Sequence, residues 1–249
     1  MLVIGKNPIY ELIQKDPTEF SKIIILKRLD PEKKLKEIVN LAKEHNIHVL
    51  FLNKNQFEKY FQSKNKEEGV SQGIIAFIKD YEYTGLKEVI EKNKDEKYPV
   101  ILLLDEITDP HNFGAIIRSA VCLDAKAIVI PRHNSAEVNH TVIKTSAGSV
   151  QHIDICRETN LYNSITYLKD NGYWVVGTDV NSGKNIYNVD FKMKTALVVG
   201  SEGKGMRKNI TDACDILAKI PMSGKLDSLN VSVSTGIILG EILRQKLVK

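Results

Sequence analysis

Apolar residues along the chain switch repeatedly between short β-branched runs and helical spacing. Asn7-Pro8 marks the opening of a first helix, with proline tolerated in the first turn. Ile23-Ile24-Ile25-Leu26 is a continuous apolar run that predicts a buried strand. Asp30-Pro31-Glu32 then caps a helix with Leu35, Ile38, Val39 and Ala42 on one face. His48 to Leu52 predicts a second strand, residues 55–62 a short helix, and Gly73 to Ile78 a third strand. The pattern changes over residues 80–97, where six acids and four lysines predict a polar connector containing a short helix. It restarts at Val100 to Leu104, a run apolar on both faces that ends in Asp105. Further strands are predicted at 127–130, 173–178, 195–199 and 216–220, and a long helix from Asn230 to about Lys246.

Alternating strands and helices imply an α/β fold with a mostly parallel sheet covered on both faces. The change of composition divides the chain into a small α/β domain at 1–79, a charged linker at 80–97 and a larger domain at 98–249. With 249 residues and 43% hydrophobic content, the chain can bury two cores, which excludes global disorder.

Charge adds a weak hint. The chain carries 35 Lys and Arg against 31 Asp and Glu. Residues 1–79 hold fourteen basic and ten acidic side chains, so the whole excess of four matches that of the first domain. This permits a nucleic-acid partner without requiring one. Only six of the basic residues are arginines, each offering a rigid fork that lysine lacks. Cys122, Cys156 and Cys214 form no C-x-x-C and no zinc spacing with the six histidines, so no metal centre is expected. An odd number of separated cysteines fits a reducing cytosol. No apolar run approaches the roughly 18–20 residues that span a bilayer, and the N-terminus lacks a signal-peptide core. A cytoplasmic protein without a membrane partner is the expectation.

Ligands in parallel sheets bind at the carboxyl ends of strands, so the segments that follow the strands hold the candidate chemistry. After strand 100–104, Asp109-Pro110 starts a helix carrying Asn112 and Arg118. Six positions place these two side chains 240° apart modulo a turn, so both border a site only if the helix runs along its wall. A solvated arginine over buried Ile116 and Ile117 is the plainer alternative. After strand 195–199, Gly200-Ser201-Glu202-Gly203-Lys204-Gly205-Met206 places three glycines in six residues. The loop matches neither the P-loop nor G-x-G-x-x-G, and Glu202 would repel phosphate. It suits a ligand that is not primarily anionic, or else serves as a structural turn. After strand 216–220, Ser228, Asn230, Ser232 and Ser234 exceed what one helix cap requires, which points to a polar site.

Three blocks in this order resemble the SpoU, or TrmH-like, branch of the SPOUT RNA methyltransferases. They are N-x-G-x-x-x-R-S-A at Asn112 to Ala120, V-V-G-S-E-G-x-G-M at Val198 to Met206, and I-P-M-x-G-x-x-x-S-L-N-V-S at Ile220 to Ser232. The first domain resembles the substrate-binding module of the bacterial subtype that methylates large-subunit (23S) ribosomal RNA. Gly5 to Glu11 and Val70 to Ala76 carry that likeness, with Ser71 where the subtype usually has His.

The resemblance implies a C-terminal SPOUT domain with a deep trefoil knot, S-adenosylmethionine as cofactor, and a homodimer. It implies 2′-O-ribose methylation of a guanosine in 23S ribosomal RNA, with transfer RNA or a non-catalytic RNA-binding role as alternatives. Arg118 is implied at the catalytic centre, with Asn112, Glu202, Ser228 and Asn230 around it. Cofactor contacts are implied at Gly200, Ile220 and Leu229, with Glu202 and Met222 beside them. Lys6, Asn7 and Arg28 are candidate RNA contacts of the first domain.

Overall fold

The computed structural model describes residues 2–27, 32–64, 71–180, 183–224 and 228–248. Arg28, one of the candidate RNA contacts, and Asp30-Pro31 of the expected cap lie outside them. The chain divides into two compact units, Met1–Tyr81 and Glu82–Lys249.

The first unit runs β1 (Leu2–Ile4), α1 (Lys6–Lys15), β2 (Phe20–Leu26), α2 (Lys33–Glu44), β3 (His48–Leu52), α3 (Lys54–Lys64) and β4 (Ile74–Ile78). Its sheet has the order β1-β4-β2-β3. The strands β2 and β3 are parallel, and β4 runs antiparallel to both its neighbours. The period-2 geometry of a strand sends successive side chains to opposite faces. Accordingly Ile23 and Ile25 join Ile9 and Ile13 of α1 and Leu35 and Ile38 of α2 in one core. Ile24 joins Phe57 of α3 in a second core on the other face. The continuous apolar run at 23–26 is therefore a strand buried on both sides. β1, only three residues long, has no counterpart among the expected strands.

The second unit runs α4 (Leu86–Lys92), β5 (Val100–Asp105), α5 (Pro110–Cys122), β6 (Ala127–Pro131), α6 (His140–Thr145), β7 (Asp154–Glu158), α7 (Leu161–Asp170), β8 (Trp174–Thr178), β9 (Lys184–Asn185), β10 (Thr195–Gly200), α8 (Lys208–Thr211), β11 (Ile216–Lys219) and α9 (Val231–Leu247). Every strand pair is parallel, in the order β7-β6-β5-β10-β8-β11-β9. Ile101, Leu103, Val175, Ala196 and Val198 pack with α4, α7 and α8 on one face. Alternate residues such as Leu102, Leu104, Val176, Leu197 and Val199 are buried on the other. There α5 packs against both α6 and α9, and α9 against β10.

Several elements of this unit depart from expectation, among them β9, a two-residue edge strand with no expected counterpart. β7 is an edge strand whose Asp154, Arg157 and Glu158 are half-exposed, so it lacks the continuous apolar signature of its neighbours. The segment expected as a linker is mostly part of the second unit. Leu86 and Val89 of α4 are buried in its core, and the Thr84 backbone N–H donates to the Ile155 carbonyl at 2.9 Å. A helix needs only one apolar stripe to dock, and the surrounding charges hid that stripe in the composition. Among the described residues no helix is long and apolar enough to cross a membrane.

The order of the last strands decides where their loops emerge. From β8 the chain moves out to the edge at β9, returns to insert β10 between β5 and β8, then moves out again to insert β11 between β8 and β9. The loops leaving β8, β10 and β11 are thereby gathered at one end of the sheet.

Candidate active site

A cavity of ≈ 960 Å³ opens at the carboxyl ends of β8, β10 and β11. Its volume is in the range that holds small ligands and cofactors, about 300–1,000 Å³. One wall is the loop after β10. Gly200 is the last residue of that strand, and a Cβ there would lie 2.2 Å from both the Gly205 carbonyl carbon and the Met206 nitrogen. Only glycine allows the chain to double back so tightly. Ser201 and Gly205 then exchange backbone hydrogen bonds of 3.1 and 2.9 Å, which closes the loop on itself.

The cavity brings together Gly200, Glu202, Ile220, Met222, Ser228 and Leu229, all expected at the site. Met222 and Leu229 are 37% and 36% exposed into this open space. The expected set omitted Asp179 and Lys219, which also line the cavity. Asp179 follows β8 directly, so the rule that located the other three segments would have found it had it been applied to a fourth strand.

Asn112 and Asn230 sit beside the cavity in a short polar chain. Asp109 caps α5 by accepting from the backbone N–H groups of His111 at 2.9 Å and Asn112 at 3.4 Å. The Asn112 amide then donates to Glu202 Oε2 at 3.3 Å, and Asn112 Oδ1 accepts from Asn230 Nδ2 at 2.9 Å. Asn230 uses its own Oδ1 to cap α9, accepting from the Ser232 backbone at 3.0 Å and its hydroxyl at 2.6 Å. One amide therefore caps a helix with its oxygen and braces the site with its nitrogen. Residues from the first block (Asn112), the second (Glu202) and the third (Asn230) meet in this one chain. Glu202 engages Asn112 and not Arg118.

Arg118 is placed differently. It is exposed on α5, does not line the cavity, and has no ion pair or hydrogen bond among the described residues. Gly114 of the same block is a packing position: a Cβ there would fall 1.9 Å from Thr145 Oγ1 of α6. In the first unit, Lys6 is ion-paired with Glu32, and Asn7 Oδ1 accepts from Lys34 Nζ at 2.6 Å. Among the described residues no group of three or more His, Cys, Asp or Glu could hold a metal ion.

An all-parallel sheet with a cavity at its carboxyl ends, walled by a glycine-rich loop, defines an α/β protein with a ligand-sized site at the position such sheets use for binding. The profile of the SpoU rRNA Methylase family matches residues 99–240, and that of the RNA 2′-O ribose methyltransferase substrate-binding family matches residues 2–84. The chain is 35% identical over 245 residues to the TrmH family tRNA/rRNA methyltransferase YacO of Bacillus subtilis, covering 98% of this chain and 95% of that protein. Its fold is similar to that of the SpoU methyltransferase AviRb from Streptomyces viridochromogenes, solved with S-adenosylmethionine, at a TM-score of 0.67 and 22% identity over 100% and 91% of the two chains. It is also similar to the TrmH/SpoU tRNA modifying enzyme of A. aeolicus, at a TM-score of 0.56 and 31% identity over 65% of this chain and 82% of that one. The chain belongs to the SpoU family of RNA methyltransferases. It is an S-adenosylmethionine-dependent RNA 2′-O-methyltransferase.

The residues present fit that cofactor. Val199, Ala218 and Ile238 offer an apolar wall for an adenine ring, and the carboxylates of Asp179 and Glu202 suit a ligand carrying sulfonium and ammonium charges.

Proposed function

We propose that the chain methylates the 2′-hydroxyl of a guanosine in large-subunit (23S) ribosomal RNA. One observation carries this reading: the first unit as a whole matches a substrate-binding family that accompanies 2′-O ribose methyltransferases. A bare SpoU domain has no such module. A transfer-RNA target is the second reading, favoured by the likeness of 65% of the chain to a tRNA modifying enzyme. Tritium transfer from labelled S-adenosylmethionine to protein-free ribosomal RNA and to bulk transfer RNA, followed by mapping of the label, separates the two. Label confined to transfer RNA would reverse the assignment.

In this reading the cavity holds the cofactor through Gly200, Ile220 and Leu229, with Glu202 and Met222 alongside. When bound, S-adenosylmethionine supplies an electrophilic methyl group. The remaining work is to position a ribose and manage its hydroxyl proton. Asn112 and Asn230, held rigid by their mutual hydrogen bond, orient polar groups at the cavity mouth. Ser228 lines the cavity and can pass a proton from the hydroxyl to water or phosphate. Arg118 is unsuited to act as a base, because a guanidinium has no acceptor and keeps its proton in proteins. Its role is to grip the target phosphate and stabilise charge growing on the 2′-oxygen. Arg118→Lys keeps the charge and loses the fork, so turnover should fall by about a hundredfold. Near-normal turnover would remove the fork from the mechanism.

The exposure of Arg118, away from the cavity of its own chain, supports a homodimer in which it serves the partner's site. Val233 of α9, 50% exposed near the same helix pair, supports an apolar contact between copies. A trefoil knot in the C-terminal part belongs to the same reading, supported by the order in which β10 and β11 enter the sheet. Lys6, Asn7 and Arg28 are assigned to RNA binding by the first unit.

A further inference from the structure

Asp105, the last residue of β5, is 0% exposed. A carboxylate so placed must be paired and hydrogen-bonded, because desolvation of an unpaired charge is prohibitive. Among the described residues, its two hydrogen-bond donors and its ion-pair partner all belong to one residue on a distant stretch of chain. The Arg207 backbone N–H donates to Oδ2 at 2.8 Å, Nε donates to Oδ1 at 2.8 Å, and Nη2 lies 2.7 Å from Oδ1. Glu106 stands 3.8 Å from Nε and adopts a left-handed φ of 60° at the turn out of the strand.

Gly200 lies directly opposite Asp105 in the register between β5 and β10. The chain therefore leaves the sheet beside Asp105, runs through Ser201 to Met206, and comes back to Asp105 at Arg207. All six of those loop residues line the cavity. Both ends of the loop thus lie at one residue, the first beside the Asp105 backbone in the sheet and the second on its carboxylate, while its own backbone bonds hold the middle closed. Among the described residues, the loop side chains reach Asn112 only through the 3.3 Å bond from Glu202, in an exposed setting. The firm attachment is at the base.

We propose that Asp105 and Arg207 are positioning residues for the cofactor: buried Asp105, gripped by the partly exposed Arg207, fixes the loop as a wall of the cavity and sets Glu202 at the reach of Asn112. The proposal rests on the assignment of that cavity to S-adenosylmethionine. Neither side chain needs to touch the cofactor. Arginine is required because two nitrogens of one rigid group chelate Oδ1 while the backbone holds Oδ2; a lysine ammonium supplies a single donor atom.

The test compares full-length wild type with Arg207→Lys and Arg207→Met. S-adenosylmethionine affinity is measured by calorimetry, amide hydrogen exchange is followed at residues 200–206, and melting is recorded in parallel. Arg207→Lys keeps the stem and the charge, so it serves if the methionine variant fails to fold. The expected result is binding weakened about tenfold or more, with KM for the cofactor raised and kcat largely retained at saturation. Exchange should speed up at 200–206 while β5 and β6 stay protected. Affinity within about twofold of wild type, even with a lower melting temperature, would reduce the pair to a fold-stabilising role and overturn the proposal. The cavity assignment has its own control. In wild type, saturating cofactor should slow exchange at 200–206; absence of that protection would refute the assignment, and the proposal with it.

Discussion

Single atoms decide several properties of this site, and Asn230 shows how they can be separated. Its Oδ1 caps α9 and its Nδ2 holds Asn112. Asn230→Ser keeps an oxygen that can cap the helix but removes the amide donor. Urea unfolding should find this variant within about 0.5 kcal/mol of wild type, whereas Asn230→Ala should lose about 1 kcal/mol. Methyl transfer should fall in both, on the order of tenfold or more, because both release Asn112. Equal activity of Asn230→Ser and wild type would show that the amide bond is dispensable. Gly200→Ala is a sharper lesion, since its methyl group meets backbone and not a side chain that can turn aside. Cofactor binding measured by calorimetry should be lost while the first unit keeps its melting behaviour. The thiols make a separate prediction. Burial pushes Cys156 and Cys214 up to about 12, with the nearby Glu158 and Asp154 carboxylates adding to the effect at Cys156. A thiol whose folded value lies above its unfolded one contributes stability that is complete below the unfolded value, near 8.5, and is lost as pH rises toward the folded one. The melting temperature should therefore decline between about pH 8.5 and 12. In a Cys156→Ala, Cys214→Ala double variant that decline should be shallower. At neutral pH only exposed Cys122 should react quickly with a thiol reagent.

At the scale of elements, strands with an apolar run announced themselves, including the partly buried β3 and β11, and charged or very short edge strands did not. Val100 to Leu104 and Thr195 to Val199 are apolar at nearly every position because helices cover both sides, and they fall where expected. β7 and β9 sit at the sheet edges and carry Asp154, Arg157, Glu158 and Lys184, so no apolar run marks them. Composition after the strands pointed to the segments holding Gly200, Glu202 and Ser228, while Ile220, Met222 and Leu229 were named only through the family resemblance of those segments. Asp179 follows a strand too, but in a stretch with no unusual composition. The pairing of Asn112 with Glu202 and Asn230 was not legible at all. It depends on how far α5, the loop after β10 and the start of α9 approach one another, and spacing along a helix fixes direction without fixing distance. Arg118 illustrates the same limit: the 240° offset from Asn112 allowed a shared site, and packing put the two side chains in different places. The charged segment before β5 holds the short helix expected there, and what composition did not show is that its stripe of Leu86 and Val89 is buried in the second unit's core. Truncation tests that point. A chain starting at Glu82 should fold and melt cooperatively, while one starting at residue 98 loses two buried aliphatic side chains, at a cost of about 2–5 kcal/mol each. Comparable melting temperatures for the two would mean that α4 contributes little.

For the whole molecule, two units with separate cores suggest a division of labour that can be taken apart. The chain from Glu82 onward should bind S-adenosylmethionine as the full chain does and lose selective methylation of its RNA target, as read by calorimetry and by tritium mapping. Loss of cofactor binding in that fragment would mean that the first unit helps build the cavity. The order of strands has a consequence in time as well as in space. Bonds that assemble the site join residues 102 apart at Asp105 and Arg207, and 118 apart at Asn112 and Asn230. β10 lies between β5 and β8, both earlier in the chain, and α9 follows it in sequence. Contacts so distant along the chain form slowly, because a long loop must close before they reward the chain. On the ribosome the first unit can be complete while the second still waits for its central strand. The nascent protein can pass through a stage at which its first unit is finished and its capacity for chemistry does not yet exist.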